Sequence, residues 1–326
     1  ANPEHLRTRR LNMNFGDWLS IDADTPKEVL ATAYYALDAQ LMARVAGVLA
    51  KQDDVELYEQ LFADIKAAFI DAYVSADGRV FGDTQTCYLL ALHAGLLPEE
   101  LRAPAAARLV DDIAARGGHL STGFLGVGYL APILSDSGYL DVAYRLALSE
   151  TYPSWGYSIS HGATTIWERW DGWTEEHGFQ TPEMNSFNHY AFGSIGEWLY
   201  RYVAGIDLDP LLPGFRHVVL RPQPGGGLTH AEATYRSVRG KIHSHWTIDG
   251  DRLAYQLTIP ANTTATLHLP AADPDNVRES GIQADTAPGV KRVVGAGDAA
   301  VAVFELASGA YEFESVVTGP ELGHRE

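Results

Sequence analysis

The chain has 326 residues, 46% hydrophobic and 20% charged, a globular composition that excludes a wholly disordered polypeptide. Its 42 acidic and 24 basic residues give a formal charge of −18, so its surface repels phosphate backbones and nucleic acid is not an expected partner. A lone cysteine, Cys87, excludes an internal disulfide framework and any multi-thiolate zinc site, and no apolar run reaches the roughly 18 residues of a membrane helix.

The chain opens ANPEHLRTRR, without an initiator Met or an apolar signal core. Arg7, Arg9 and Arg10 lead straight into Phe15-Gly16-Asp17-Trp18-Leu19. That start reads either as an internal segment of a longer protein or as a mature N-terminus left by processing. The absence of an export signal and the single thiol favour the cytoplasm. From about residue 25 the period is helical. Thr25 is placed to cap a helix with Pro26 at its first position, and Val29, Ala33, Ala36, Leu37, Leu41 and Val45 recur at helical spacing. Leu57, Leu61, Ile65, Phe69 and Ala72 predict a second helix, closed by the Asp77-Gly78 turn. Further helices are predicted over Thr86–Leu97, Glu99–Arg116, Tyr129–Leu134, Leu140–Glu150 and Ser186–Val203. Short Gly and Asp loops between them suggest stacked antiparallel pairs.

After Gly205 the texture changes to Pro, Gly and alternating segments. Strands are predicted at Val218–Arg221, Ala231–Ser237, Gly240–Ile248, Leu253–Ile259, Thr264–Leu269, Ala300–Leu306 and Gly309–Val316, with Asp249-Gly250-Asp251 as a hairpin signal. These strands imply an antiparallel β-sandwich over 206–326, following a helical domain over 1–205.

Between the sixth and last predicted helices, Thr151–Phe179 reads TYPSWGYSISHGATTIWERWDGWTEEHGF and fits no helical period. Four of the seven tryptophans fall here, Trp155, Trp167, Trp170 and Trp173, with Glu168 and Asp171 among them. A long irregular segment inside a helical domain is usually functional. Aromatic planes suit the C–H faces of sugars, and carboxylates do the acid–base work of glycoside hydrolysis. A tryptophan-rich core plug with surface acids remains the competing reading of the same residues.

ATTIWERWDG and MNSFNHYAFGSIGEWLYRYVAGI, with FGDWLSIDADTPKEVLATAYY, FGDTQTCYLLALHAGLLP, TGFLGVGYLAPIL and PGFRHVVLRPQPGGGLTHAEATYRSVRGKIHSHW, resemble the bacterial α-L-rhamnosidases of glycoside hydrolase family 78. The resemblance runs from about residue 11 to 270, with the motifs in order. It implies a barrel of six helix pairs, an (α/α)6 barrel, followed by a β-sandwich, and inverting removal of terminal α-L-rhamnose from a rhamnose-containing glycoside. It implies Glu168 as general base, His189 as a contact to rhamnose and Trp18 as an aromatic residue of the sugar pocket. Trp167, Trp170 and Asp171 are expected beside them, with Asp171 orienting Arg169 or capping a turn.

The family's general acid lies in an Asp-Glu-Arg segment followed by Gly-Trp-x-Gly-Asp, upstream of the Gly-Asp-Trp region, and no such segment stands here. The resemblance therefore implies a partial barrel, its C-terminal half, with the sandwich attached. A partial barrel leaves the stripe of Val29, Ala33, Leu37 and Leu41 partly uncovered, so the remainder of the barrel or a second copy of the chain is an expected partner. A sugar-binding module or pseudo-enzyme without turnover is the alternative. No cofactor or metal is expected. His243 and His245 share a strand face but lack a third ligand, and Asn262-Thr263-Thr264 fits a glycosylation sequon but reads more simply as a β-turn. His161 is read equally as a pocket residue or a packed loop residue, and Cys87 as core.

Overall fold

The computed structural model describes residues 4–9, 11–293 and 300–317, and the chain separates into two compact units, 1–195 and 196–326. In the first, α1 (Lys27–Val48) and α2 (Gln52–Tyr73) form a helix hairpin, as do α3 (Gln85–His93) with α4 (Glu99–Ala115), and α5 (Val127–Asp136) with α6 (Leu140–Leu148). α1, α3 and α5 touch in that order, so the three hairpins follow one another as consecutive pairs of a helical barrel. α3 sits in the middle, buried from Gln85 to Leu92, because a helix apolar on all faces needs neighbours on every side.

The loops explain where the helices stop. Gly95 takes a left-handed φ of 63° while Leu96 N–H reaches back to Ala91 O at 3.0 Å, closing α3 before Leu97. Gly117 and Gly118 close α4 in the same way, with Gly118 N–H on Ile113 O at 2.9 Å. Thr25 is not the cap of α1. Its hydroxyl pairs with that of Thr84 at 2.9 Å, and Thr84 in turn caps α3 by accepting the Cys87 N–H. Val29 and Ala33 are fully buried, so the expected uncovered stripe is confined to the far half of α1: Leu41, Met42, Val45, Val48 and Leu49 are exposed.

Two expectations for the irregular segment need correction. It contains one short helix, α7 (Trp155–Ser160), capped by the Ser154 hydroxyl on Tyr157 N–H at 3.0 Å. The long helix expected over 186–203 is broken: Ser186–Tyr190 are extended or turned, and helical backbone begins at Ala191. Backbone pairing is the cause, since Glu168 N–H donates to Ser186 O and His189 N–H to Ile166 O, both at 2.8 Å. A two-residue ladder, β1 (Trp173–Thr174) with β2 (Gly178–Phe179), closes the intervening loop.

The second unit begins with helical turns over Ile195–Trp198 (α8, whose first residue closes unit 1) and Leu199–Val203. Trp246 Nε1–H donates to Val203 O at 2.7 Å and Ser244 Oγ to Ala204 O at 2.5 Å, which joins those turns to the strands. Strands β3 (Ile206–Leu208), β4 (His217–Leu220), β5 (His230–Ser237), β6 (Gly240–Asp249), β7 (Arg252–Ile259), β8 (Thr264–Pro270), β9 (Arg278–Glu279), β10 (Ile282–Gln283), β11 (Val290–Arg292), β12 (Val301–Leu306) and β13 (Gly309–Val316) form two sheets. Their orders are β10-β9-β13-β7-β6-β5 and β11-β12-β8-β4-β3. All pairs are antiparallel except β4 with β8, which run parallel. The inner faces meet at Phe304 and Phe313, ring centroids 5.4 Å apart, around buried Trp246, Tyr255 and Leu267.

Candidate active site

Glu168 lies on the irregular piece 166–168, half-buried, and its Oε2 accepts the Ser186 N–H at 2.8 Å. The carboxylate is thus fixed to the segment that carries His189. The His189 ring lies 5.0 Å from the Phe124 ring and 5.1 Å from Tyr190, and its Nδ1 accepts the Ala191 N–H at 3.3 Å. A backbone N–H only donates, so the neutral ring carries its proton on Nε2 and can offer it to a ligand oxygen.

Trp18 is 37% exposed and meets Phe15 edge-on at 5.6 Å. Its carbonyl accepts the Phe124 N–H at 2.9 Å, which ties it to the loop 121–126. The preceding residue explains that loop. Asp17 is buried, and its two oxygens accept four hydrogen bonds: from Thr86 Oγ1 at 2.5 Å and from the N–H groups of Gly123 (2.8 Å), Leu125 (2.8 Å) and Gly126 (3.0 Å). Burial raises the Asp17 carboxyl above its ordinary range, and those four donors pull against that rise. Gly123 is obligatory here: a Cβ would stand 2.3 Å from the Trp18 carbonyl oxygen. Trp18, Phe124, His189 and Glu168 are therefore linked in one chain of contacts, although they come from three distant parts of the sequence.

The other predicted residues sit behind that group. Trp170 is 2% exposed; its ring stacks on Phe192 at 3.9 Å and its Nε1–H donates to Thr122 O at 2.9 Å. Trp155 meets Trp170 edge-on at 5.2 Å and donates to Phe192 O at 2.8 Å. Trp167 is 8% exposed, edge-on to Phe187. Trp167 and Trp170 thus hold the loop as core residues, with Trp155, Ile159, Ile166 and Phe192 completing the walls of a cavity of about 370 Å³. Asp171 receives Arg169 Nε at 2.8 Å and Nη2 at 3.0 Å, with Gln180 Nε2 at 2.9 Å. It orients Arg169, as its position in the sequence suggested, and the pairing helps keep the guanidinium charged.

A second concavity of about 580 Å³ is lined by Tyr152, Tyr157, His161, Asp171 and the β1–β2 hairpin. Burial, then the negative charges of Asp171 and Asp22, push the Tyr152 phenol up to about 12. His161 lines this concavity and is also packed, its ring 4.3 Å from Tyr157 and 4.8 Å from Trp173. Sequence reasoning missed Phe124 and the structural part played by Asp17. The Gly123–Gly126 spacing in TGFLG was the available sign, since two glycines so close mark a backbone that wraps something tightly. Asp17 accepts four hydrogen bonds and Asp171 three, so donors of the fold itself engage both carboxylates. In the second unit His243 pairs with Glu232 at 3.0 Å. Among the described residues no three His, Cys, Asp or Glu side chains could hold a metal ion, and no helix is long and apolar enough to cross a membrane.

Residues 2–203 match the family model of the bacterial alpha-L-rhamnosidase 6 hairpin glycosidase domain, and residues 205–284 match that of the bacterial alpha-L-rhamnosidase C-terminal domain. An alpha-L-rhamnosidase of Streptomyces avermitilis is 48% identical over 299 residues, 92% of this chain and 28% of that protein. One of Formosa agariphila is 39% identical over 274 residues, 81% of this chain and 29% of that protein. Among solved structures, the Streptomyces avermitilis alpha-L-rhamnosidase complexed with L-rhamnose superposes with a TM-score of 0.87 at 46% identity, over 95% of this chain and 29% of the other. The alpha-L-rhamnosidase of Dictyoglumus thermophilum does so with a TM-score of 0.81 at 29% identity, over 92% of this chain and 34% of the other. The chain thus spans a little over a quarter of the length of these curated relatives.

Proposed function

This chain belongs to the bacterial α-L-rhamnosidase family, and on that premise we propose that it carries the general-base side of a site that removes terminal α-L-rhamnose by inversion. Glu168 is the base. Its Oε2 is held by the Ser186 amide, while no donor among the described residues takes Oε1, which leaves that oxygen to accept a proton from water. His189 offers Nε2–H to a sugar hydroxyl, and the half-exposed Trp18 ring offers a plane to the sugar's C–H face. Trp167, Trp170 and Asp171 act one step back, fixing the loop on which Glu168 rides.

An inverting hydrolase needs a second carboxyl roughly 6.5–9.5 Å from the first to protonate the leaving oxygen. Asp17 and Asp171 are occupied, and Asp22 and Asp24 are exposed, so that acid comes from outside this chain in our reading. The exposed stripe Leu41, Met42, Val45, Val48 and Leu49 is read as the seat of further hairpins, since the matched domain is named for six and three are formed among the described residues.

The observation that supports the proposal best is the Glu168–Ser186 and His189–Ile166 backbone pairing, which brings Glu168 and His189 onto adjoining segments. Two measurements test it. The chain alone should bind L-rhamnose by calorimetry and turn over an aryl α-L-rhamnoside little or not at all. In an enzyme completed with the rest of the barrel, Glu168→Gln should lower kcat by about 10²–10⁴-fold, with rhamnose binding retained. Unchanged turnover would remove Glu168 as base. Binding without turnover in the completed enzyme would favour the sugar-binding module instead.

A further inference from the structure

We infer that Phe124 is a positioning residue for His189, held in place by the Asp17 clasp, so that the sugar-facing geometry of His189 is set by residues distant from it in sequence. The inference rests on the reading of His189 as a rhamnose contact.

Three observations support it. First, His189 has little else to hold it. Among the described residues its side chain makes one hydrogen bond, a long one of 3.3 Å from the Ala191 amide, and its other ring neighbour, Tyr190, is itself 84% exposed. Phe124 is the neighbour with a fixed position: its N–H donates to Trp18 O at 2.9 Å, and its ring meets buried Phe192 edge-on at 5.4 Å. Second, the loop bearing Phe124 lies in no helix or strand and is a single turn leading into α5, with Val127 N–H on Gly123 O at 3.1 Å. Its backbone amides at 123, 125 and 126 converge on Asp17, so the only amide of that run not bonded to the carboxylate is that of Phe124 itself, which is taken by Trp18. Third, the same contacts place Trp18. One buried carboxylate therefore sets both the aromatic plane and the histidine that would face one sugar, although Asp17 touches neither ligand nor base.

A purely structural role would make the same contacts, so the test must separate the two. L-rhamnose affinity of the intact chain is measured by calorimetry for wild type, Phe124→Leu, His189→Ala and the double variant. Loss of an aromatic pair should weaken binding by about 2- to 12-fold in the wild-type background. The same Phe124→Leu change should have no effect once His189 is alanine, because it acts through that ring. Phe124→Tyr should restore the affinity. An equal loss in both backgrounds would overturn positioning through His189. If His189→Ala leaves rhamnose affinity unchanged, the underlying reading of His189 fails instead. A second measurement is independent of the sugar: ¹³C relaxation at His189 Cε1 should report a rigid ring in wild type and Phe124→Tyr and a mobile one in Phe124→Leu. An equally rigid ring in Phe124→Leu would also overturn the inference.

Discussion

The two units satisfy their backbones in different ways. In 196–326 the strands satisfy one another: β5, β6, β7 and β13 pair over most of their lengths, and side chains contribute mainly at the edges. In the irregular part of 1–195 the backbone is satisfied by side chains brought from far away. Asp17 holds amides more than 100 residues on, Trp170 holds Thr122 O, Asn185 holds Gly172 O and Glu168 holds Ser186 N–H. A ladder forces regularity, and regular strands point alternate side chains to alternate faces. A backbone held by scattered carboxylates and indoles is free to aim several side chains at one point. The candidate chemistry sits in the second kind of region, and each polar side chain there carries both geometry and stability.

The largest stability effect expected tests whether the units are separable. Trp246 is fully buried between the sheets and donates to Val203 O. Trp246→Ala should cost about 3–5 kcal/mol from the cavity and the orphaned carbonyl. Amide exchange should then quicken in β5–β7 while α3 keeps its protection and L-rhamnose binding is retained. Equal loss of protection in α3 would break the comparison, since the two units would then unfold as one.

The same contrast explains what could be read in advance. Strands such as Leu253–Ile259 and Gly309–Val316 were legible to within a residue because each carries its own alternation and its own Gly or Asp turn. The short strands β9 to β11 were missed, because two or three residues hold no period. The parallel β4–β8 pair was missed because nothing local distinguishes it from an antiparallel one. Helices α1 to α6 were legible from spacing. The break at Ser186–Tyr190 was not, because its cause lies some 20 residues upstream in Ile166 and Glu168. Glu168 and His189 came from motif resemblance, whereas the Asp17 clasp is marked only at its other end, by Gly123 and Gly126, because its hydrogen bonds join residues more than 100 positions apart.

Alkaline pH should sharpen the comparison by acting unequally. Burial pushes up the phenols of Tyr34, Tyr73, Tyr88, Tyr144 and Tyr152 and the thiol of Cys87 in the first unit, against Tyr255 and Tyr311 in the second. Each such group stays protonated in the folded state while the unfolded chain gives up its proton near 10.0 for tyrosine and 9.0 for cysteine. The folded state then binds more protons, so the stability is fully present below those values and is lost as pH rises above them through the raised folded values. Urea midpoints should fall as pH rises from about 9 to 12, and amide exchange should show the helical unit opening before the β-unit. Simultaneous opening, or a midpoint that rises, would count against this.

The smallest effects separate two ion pairs of similar length within the helical unit. Arg145 and Asp141 are spaced i,i+4 on α6 with N···O 2.6 Å, and their side chains are 68% and 66% exposed. Water screens both charges, so Arg145→Ala should change stability by no more than about 0.5 kcal/mol, less still in 1 M salt. Arg169 and Asp171 are 2.8 Å apart but only 20% and 22% exposed, bonded twice to each other and once more through Gln180. Removing Arg169 leaves the Asp171 carboxylate part-buried with one donor, so Arg169→Ala should cost about 1–3 kcal/mol and keep most of that cost in salt. The pair at the site earns its larger effect from burial and geometry rather than distance. Equal effects from the two substitutions, measured by denaturant midpoints at low and high salt, would mean that the loop around Glu168 is as well solvated as the outside of α6 and is not held by its polar contacts.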